Sequence, residues 1–217
     1  YETELQTVQS GKEHYQDTLR EISKAVHPFT VEESRQQTSD QVENALNEQA
    51  QKLREIAKNH EISDSQDSLG KFVRQIKDIA CGVTAWWTWT EESLATFELD
   101  FGLRKWLLFT LLPVVYWHKQ MEKTQNPNLK KAYKKAWKQA LTTWQMHPLT
   151  QSLSSDEMKR WRVWAEWMSD KFQRTSSAVE GRNGCLSQMY HNGRGMTASR
   201  LKSLTVIHNF DLRRGDG

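Results

Sequence analysis

Apolar residues recur every three to four positions along most of this chain, with polar residues between them. In residues 1–26 the apolar set is Leu5, Val8, Tyr15, Leu19, Ile22 and Val26, in a background of Glu, Gln and Lys. That spacing predicts an amphipathic helix. His27-Pro28 ends it, because the residue before proline is pushed out of the helical region. Phe29 to Asp40 is rich in Ser, Thr and Gln and reads as a polar loop. Ser39-Asp40 can cap a second helix through Val42, Leu46, Leu53, Ile56 and Ala57. A polar joint at 63–68 precedes a third helix carrying Leu69, Phe72, Val73, Ile76 and Ile79.

From Ala80 the composition changes, and all ten tryptophans fall between Trp86 and Trp167. Over Ala132 to Trp144, Tyr133, Trp137, Leu141 and Trp144 share one helical face, and Lys130, Lys131, Lys134, Lys135 and Lys138 make the other. Pro148 closes that section, and Ser155-Asp156-Glu157 starts a helix with Trp161, Trp164 and Met168 in phase. Trp137, Trp144, Trp161 and Trp164 sit on apolar stripes and are expected in the core. Further on, Leu186 to Tyr190 reads as a short helix, His191 to Gly195 as a loop, and Thr197 as the cap of a last helix through Leu201, Leu204, Ile207 and Phe210. Thr205-Val206-Ile207 is the one β-branched run, and it sits inside a helical pattern. The expected fold class is all-α, in three parts: a helical arm over 1–79, a Trp-rich helical region over 80–173 and a C-terminal segment over 174–217.

Composition narrows the function classes. The formal net charge is only +3, which is not that of a wholly basic nucleic-acid coat. The charge is uneven, however. After Lys171 the cations are Arg174, Arg182, Arg194, Arg200, Lys202, Arg213 and Arg214, against Glu180, Asp211 and Asp216. Such a local excess suits phosphate. Cys81 and Cys185 lie far apart and form no Cys-x-x-Cys pair, which argues against a zinc site or a disulfide framework and for a reducing, intracellular setting. Residues 1–12 are polar with no apolar run, so no signal peptide is expected there, and the apolar run from Trp106 to Trp117 is too short to span a bilayer. A chain that opens on Tyr1 and stops on Arg213-Arg214-Gly-Asp-Gly reads as a piece of a longer protein.

The most specific chemistry lies in Ser176-Ser177-x-x-Glu180-Gly181-x-Asn183. One carboxylate stands alone among bases, as a metal-binding acid beside phosphate-binding cations would. This segment resembles the last catalytic stretch of the DDE transposases, in the branch whose pattern is roughly Ser-x-x-x-Glu-Gly-x-Asn. The whole chain also resembles a group of cyanobacterial transposase-like proteins. That likeness is carried by Ala25-Val-His-Pro-Phe-Thr30, Trp86-Trp-Thr-Trp89, Leu111-Leu-Pro-Val-Val-Tyr-Trp117 and Leu204 to Gly217.

The resemblance implies the C-terminal part of an RNase H-like core, with residues 80–173 as its helical insertion. It makes Glu180 the third carboxylate around two Mg²⁺ (or Mn²⁺) ions in the full-length protein, the other two being Asp residues upstream. The fragment alone is expected to hold no metal and to be inactive. The implied partner is DNA at transposon ends, with a homodimer possible and no membrane, in a bacterial cytoplasm near the nucleoid. Arg182, Arg194, Arg200 and Lys202 are the expected phosphate contacts, and Asn183 positions Glu180 or touches phosphate. Trp86, Trp87 and Trp89 are the expected base-stacking residues, because so dense a run is hard to bury completely. Two other readings stand beside this one: a non-catalytic helical DNA-binding or dimerisation module, and a helical protein-interaction module.

Overall fold

The structure, a computed structural model, describes residues 2–60 and 67–172, all within a compact unit of Tyr1–Thr175. The described residues are overwhelmingly helical and contain no strand beyond a single bridge between Phe29 and Gln36. The protein is all-α, as the periodicity predicts.

Among the described residues the α-helices are α1 (Glu2–Ala25), α2 (Ser39–Asn59), α3 (Ser68–Ala95), α4 (Phe101–Trp106), α5 (Leu112–Lys123), α6 (Pro127–Met146), α7 (Pro148–Ser152) and α8 (Ser155–Lys171). Their ends follow local chemistry. Thr38 caps α2 through Gln41 N–H, and the Gln41 side chain returns a bond to the Thr38 N–H. Ser154 and Glu157 do the same for α8. Asn126 caps α6, where Pro127 fills the first turn without wasting a donor.

Between α4 and α5 the helix does not break at Pro113. Proline has no N–H to donate, and its ring crowds the carbonyl one turn back. The backbone instead widens over Leu107–Leu111, and Leu112 N–H bonds Leu107 O, five residues back. Phe101 to Lys123 thus runs as one continuous helical rod whose middle is largely buried.

α1 packs on α2, and α2 on α3. α5 packs against both α6 and α8. The change of composition at residue 80 falls inside α3, which runs unbroken from Ser68 to Ala95. Core residues from both sides of that point, including Leu46, Ile76, Trp86, Leu112, Tyr116 and Trp161, belong to one cluster.

The segment after α1 departs from its polar composition. His27, Phe29, Val31 and Gln37 are all buried. Phe29 lies edge-on to Trp87 at 5.2 Å and against Tyr116 at 5.4 Å. The loop is a plug with a polar rim, held by Gln37 Nε2 donating to His27 O at 2.8 Å and by Trp117 Nε1 donating to Ser34 Oγ at 3.0 Å.

Candidate nucleic-acid interface

Of the expected site residues, Glu180, Arg182, Asn183, Arg194, Arg200 and Lys202 lie outside the described residues, as does the helix expected after Thr197. The three tryptophans of α3 lie inside them, and they part company. Trp86 and Trp87 are 5% and 6% exposed, against 38% for Trp89. Trp86 donates from Nε1 to Met168 O at 3.0 Å, and its ring lies edge-on to Trp87 and Phe172. Neither ring has a free face, so Trp86 and Trp87 cannot stack a base in this fold. The run is not buried completely, since Trp89 stays exposed, but the expectation of base stacking by Trp86 and Trp87 is corrected: α3 turns both inward, where Phe29, Tyr116 and Phe172 enclose them.

Trp89 instead meets Trp167 of α8, with ring centroids 5.1 Å apart and planes at 64°. Trp167 is 43% exposed. Lys171, one turn further along α8, sets its ammonium 6.0 Å from the Trp89 ring and 5.8 Å from Trp167. A cation beside two partly exposed aromatic rings is stabilised by the negative charge of their faces. The patch therefore offers two partly exposed indoles and one positive charge. Val163, one turn before Trp167, is also exposed. Trp167 carried no signal of its own in the sequence, because it sits one position outside the apolar stripe of Trp161, Trp164 and Met168.

The charged groups around the patch are anchored. Lys119 of α5 bonds Asp170 and donates to Glu166 O at 3.0 Å, and Lys123 reaches Asp170 at 3.3 Å. Partial burial pushes the Asp170 carboxyl up, but the two lysines outweigh it and hold the group below the ordinary carboxylate value. The lysines of α6 behave differently. Lys130, Lys131, Lys134, Lys135 and Lys138 are all exposed, and none pairs with an acid among the described residues. That row is an open positive face.

A groove of about 530 Å³ runs between α5, α6 and α8, walled by Trp137, Trp144 and Val114. Trp161 and Trp164 are buried as expected, but Trp137 and Trp144 are only half-buried, because they line this groove. On its rim Arg162 pairs with Glu166 at 3.0 Å, and His118 Nδ1 lies 3.6 Å from the Glu122 carboxylate.

The sequence reading missed one constellation. His27 is fully buried, with Nδ1 2.6 Å from the Tyr116 hydroxyl and Nε2 2.9 Å from the Tyr133 hydroxyl. A neutral imidazole donates to one hydroxyl and accepts from the other. No solvent reaches the ring, so this His–Tyr–Tyr set ties the plug to α5 and α6 rather than meeting a ligand.

The described residues contain no group of three His, Cys, Asp or Glu side chains placed to hold a metal ion. No helix among them is long and apolar enough to cross a membrane. The profile of a family of unknown function, DUF6399, matches residues 107–217, just over half of the chain. The chain belongs to the DUF6399 family. The match begins at the wide turn before Pro113 and takes in α5 to α8. Within this DUF6399 protein, Trp167, Lys171 and the α6 lysines thus fall inside the family region, and Trp89 outside it. No match was found among curated proteins or among solved structures.

Proposed function

We propose that this DUF6399 protein binds DNA, as part of a DDE-type transposase in which Glu180 supplies one metal-ligand carboxylate. The observation that carries the DNA-binding half is the open Trp89–Trp167 pair beneath Lys171. Partly exposed indoles are costly to leave in water, and stacking a base on an aromatic ring is worth roughly 1–3 kcal/mol. Lys171 gives the adjoining phosphate a counter-charge, and the five lysines of α6, which pair with no acid among the described residues, add a second positive face. The basic stretch Arg174 to Arg214 follows α8 directly in sequence.

The catalytic half rests on the Ser176-to-Asn183 resemblance alone. Glu180 lies outside the described residues, and among the described residues no group of three His, Cys, Asp or Glu side chains is placed to hold a metal ion. The setting that goes with this reading is the bacterial cytoplasm, at the nucleoid.

The test is a salt titration of affinity for a DNA duplex with a single-stranded end. R182A/R194A is expected to weaken binding to every sequence and to flatten the salt dependence. W89A/W167A is expected to weaken binding roughly tenfold or more, and only for the end that carries unpaired bases. Affinity unchanged in both variants would overturn the DNA-binding reading. For the catalytic half, Glu180→Gln in a chain carrying the remaining carboxylates should abolish cleavage and leave DNA binding intact. Full cleavage by that variant rejects the assignment of Glu180.

A further inference from the structure

α6 carries five lysines and neither Asp nor Glu along its whole length. Its apolar stripe of Leu129, Tyr133, Ala136 and Ala140 is buried. At about 100° per residue, Lys130, Lys131, Lys134, Lys135 and Lys138 centre on the opposite side, and all five are exposed. From Lys130 to Lys138 the helix rises roughly 12 Å. A DNA duplex carries one negative charge per about 1.7 Å of its axis, or about seven over that length. The two charge densities are of the same order, as a rod of lysines laid along a polyanion requires.

We infer that the lysine face of α6 lies along the phosphate backbone of a DNA duplex, whereas unpaired bases go to the Trp89–Trp167 pair. This rests on the DNA-binding reading above and divides the DNA between two surfaces. Single-strand binding combines a basic track with aromatic platforms. The rings of α6 are turned elsewhere: Tyr133 is buried, Trp137 meets His118, and Trp137 and Trp144 line the groove. What α6 presents is charge without a platform, which suits duplex phosphates. Lysine meets phosphate as a point charge and reads no base, so the contact is independent of sequence. The apolar stripe of the helix is committed to the core, which leaves nothing to insert into a lipid surface.

The test is a salt titration of the full chain on a blunt duplex and on the same duplex with a single-stranded tail. K131Q/K134Q/K138Q should weaken binding to the blunt duplex tenfold or more at low salt and flatten the log–log salt slope by about 3, one per lost phosphate contact. Gln is nearly as good a helix former as Lys, so helix content by circular dichroism should not change. K71Q/K77Q/K105Q removes as many charges from exposed positions elsewhere and should leave that slope near the wild-type value. W89A/W167A should leave blunt-duplex binding unchanged. Blunt-duplex affinity and slope kept in the α6 variant overturn this inference, whether the face serves an acidic protein, an anionic membrane or nothing; loss on the tailed probe in W89A/W167A or R182A/R194A would then leave the DNA-binding reading standing. Equal losses in both lysine triples overturn it too, since net charge alone would account for them. A wild-type chain that binds neither probe overturns both readings.

Discussion

Trp86 and Trp87 differ from Trp89 in one respect that matters: their phase on α3. At about 100° per residue, the buried positions Ile76, Val83, Trp86, Trp87, Thr90 and Leu94 crowd one side of the helix, and Trp89 lies roughly 120° from their middle. Three tryptophans within four residues therefore end in two environments. Two are enclosed by Phe29, Tyr116 and Phe172, while the third shares solvent with Trp167 and Lys171. Aromatic density in a sequence thus says little about exposure, whereas angular position relative to the neighbouring apolar stripe says a great deal. The same holds on α8, where Trp161 and Trp164 are buried and Trp167 is open.

The sharpest way to break this contrast is truncation at both places. Trp86→Ala removes a buried indole and its bond to Met168 O, and should cost about 3–5 kcal/mol. Trp89→Ala removes a ring already half in water and should change stability by less than about 1 kcal/mol. Urea unfolding followed by circular dichroism reads both. Equal losses would mean that Trp89 is as much a part of the core as Trp86.

The long helices α1, α2, α3, α6 and α8 were legible because each carries its own periodicity, but the α2 cap is Thr38, one residue before the expected Ser39-Asp40, because Thr38 stands three residues before Gln41 and the two bond reciprocally. The lysine and aromatic faces of α6 separate cleanly for the same reason. Two features were not legible. The wide turn at Leu107–Leu111 answers a proline by backbone adjustment, and its apolar sequence looks the same in an ordinary helix. His27 reads as a helix stop before Pro28, but its partners are 89 and 106 residues away in the sequence. A lone histidine announces no such pairing, and the plug it anchors is polar enough to pass for a surface loop. As for the candidate interface, Trp89 was visible as part of a Trp run, while Trp167 and Lys171 acquire meaning only when α3 and α8 come together.

A smaller effect tests whether the buried region depends on its polar ties as well as its rings. Tyr116→Phe keeps the packing against Phe29 and Phe172 and removes one hydroxyl from a sealed imidazole. The expected loss is about 1–3 kcal/mol, with a similar loss for Tyr133→Phe, measured by thermal unfolding. DNA affinity should not move in either variant, because the cluster lies away from solvent. A Tyr116→Phe protein as stable as wild type would show that aromatic packing alone holds the plug.

The smallest effect belongs to the rim, at the charged contact between α5 and α8 beside the exposed pair. Asp170 is about half exposed, and water screens its contacts with Lys119 and Lys123, so Asp170→Asn should cost less than about 1 kcal/mol. The pH dependence distinguishes this loss from a packing change. Because the folded carboxyl titrates below its ordinary value, its contribution is complete above the unfolded pKa of about 3.9 and disappears as pH falls through the lower folded value. The difference in melting temperature between wild type and Asp170→Asn should therefore be constant from neutral pH down to about pH 5 and shrink toward zero in stronger acid. A difference that persists unchanged at low pH would mean that the side chain acts by packing, and that the rim of the Trp89–Trp167 patch is built like the core.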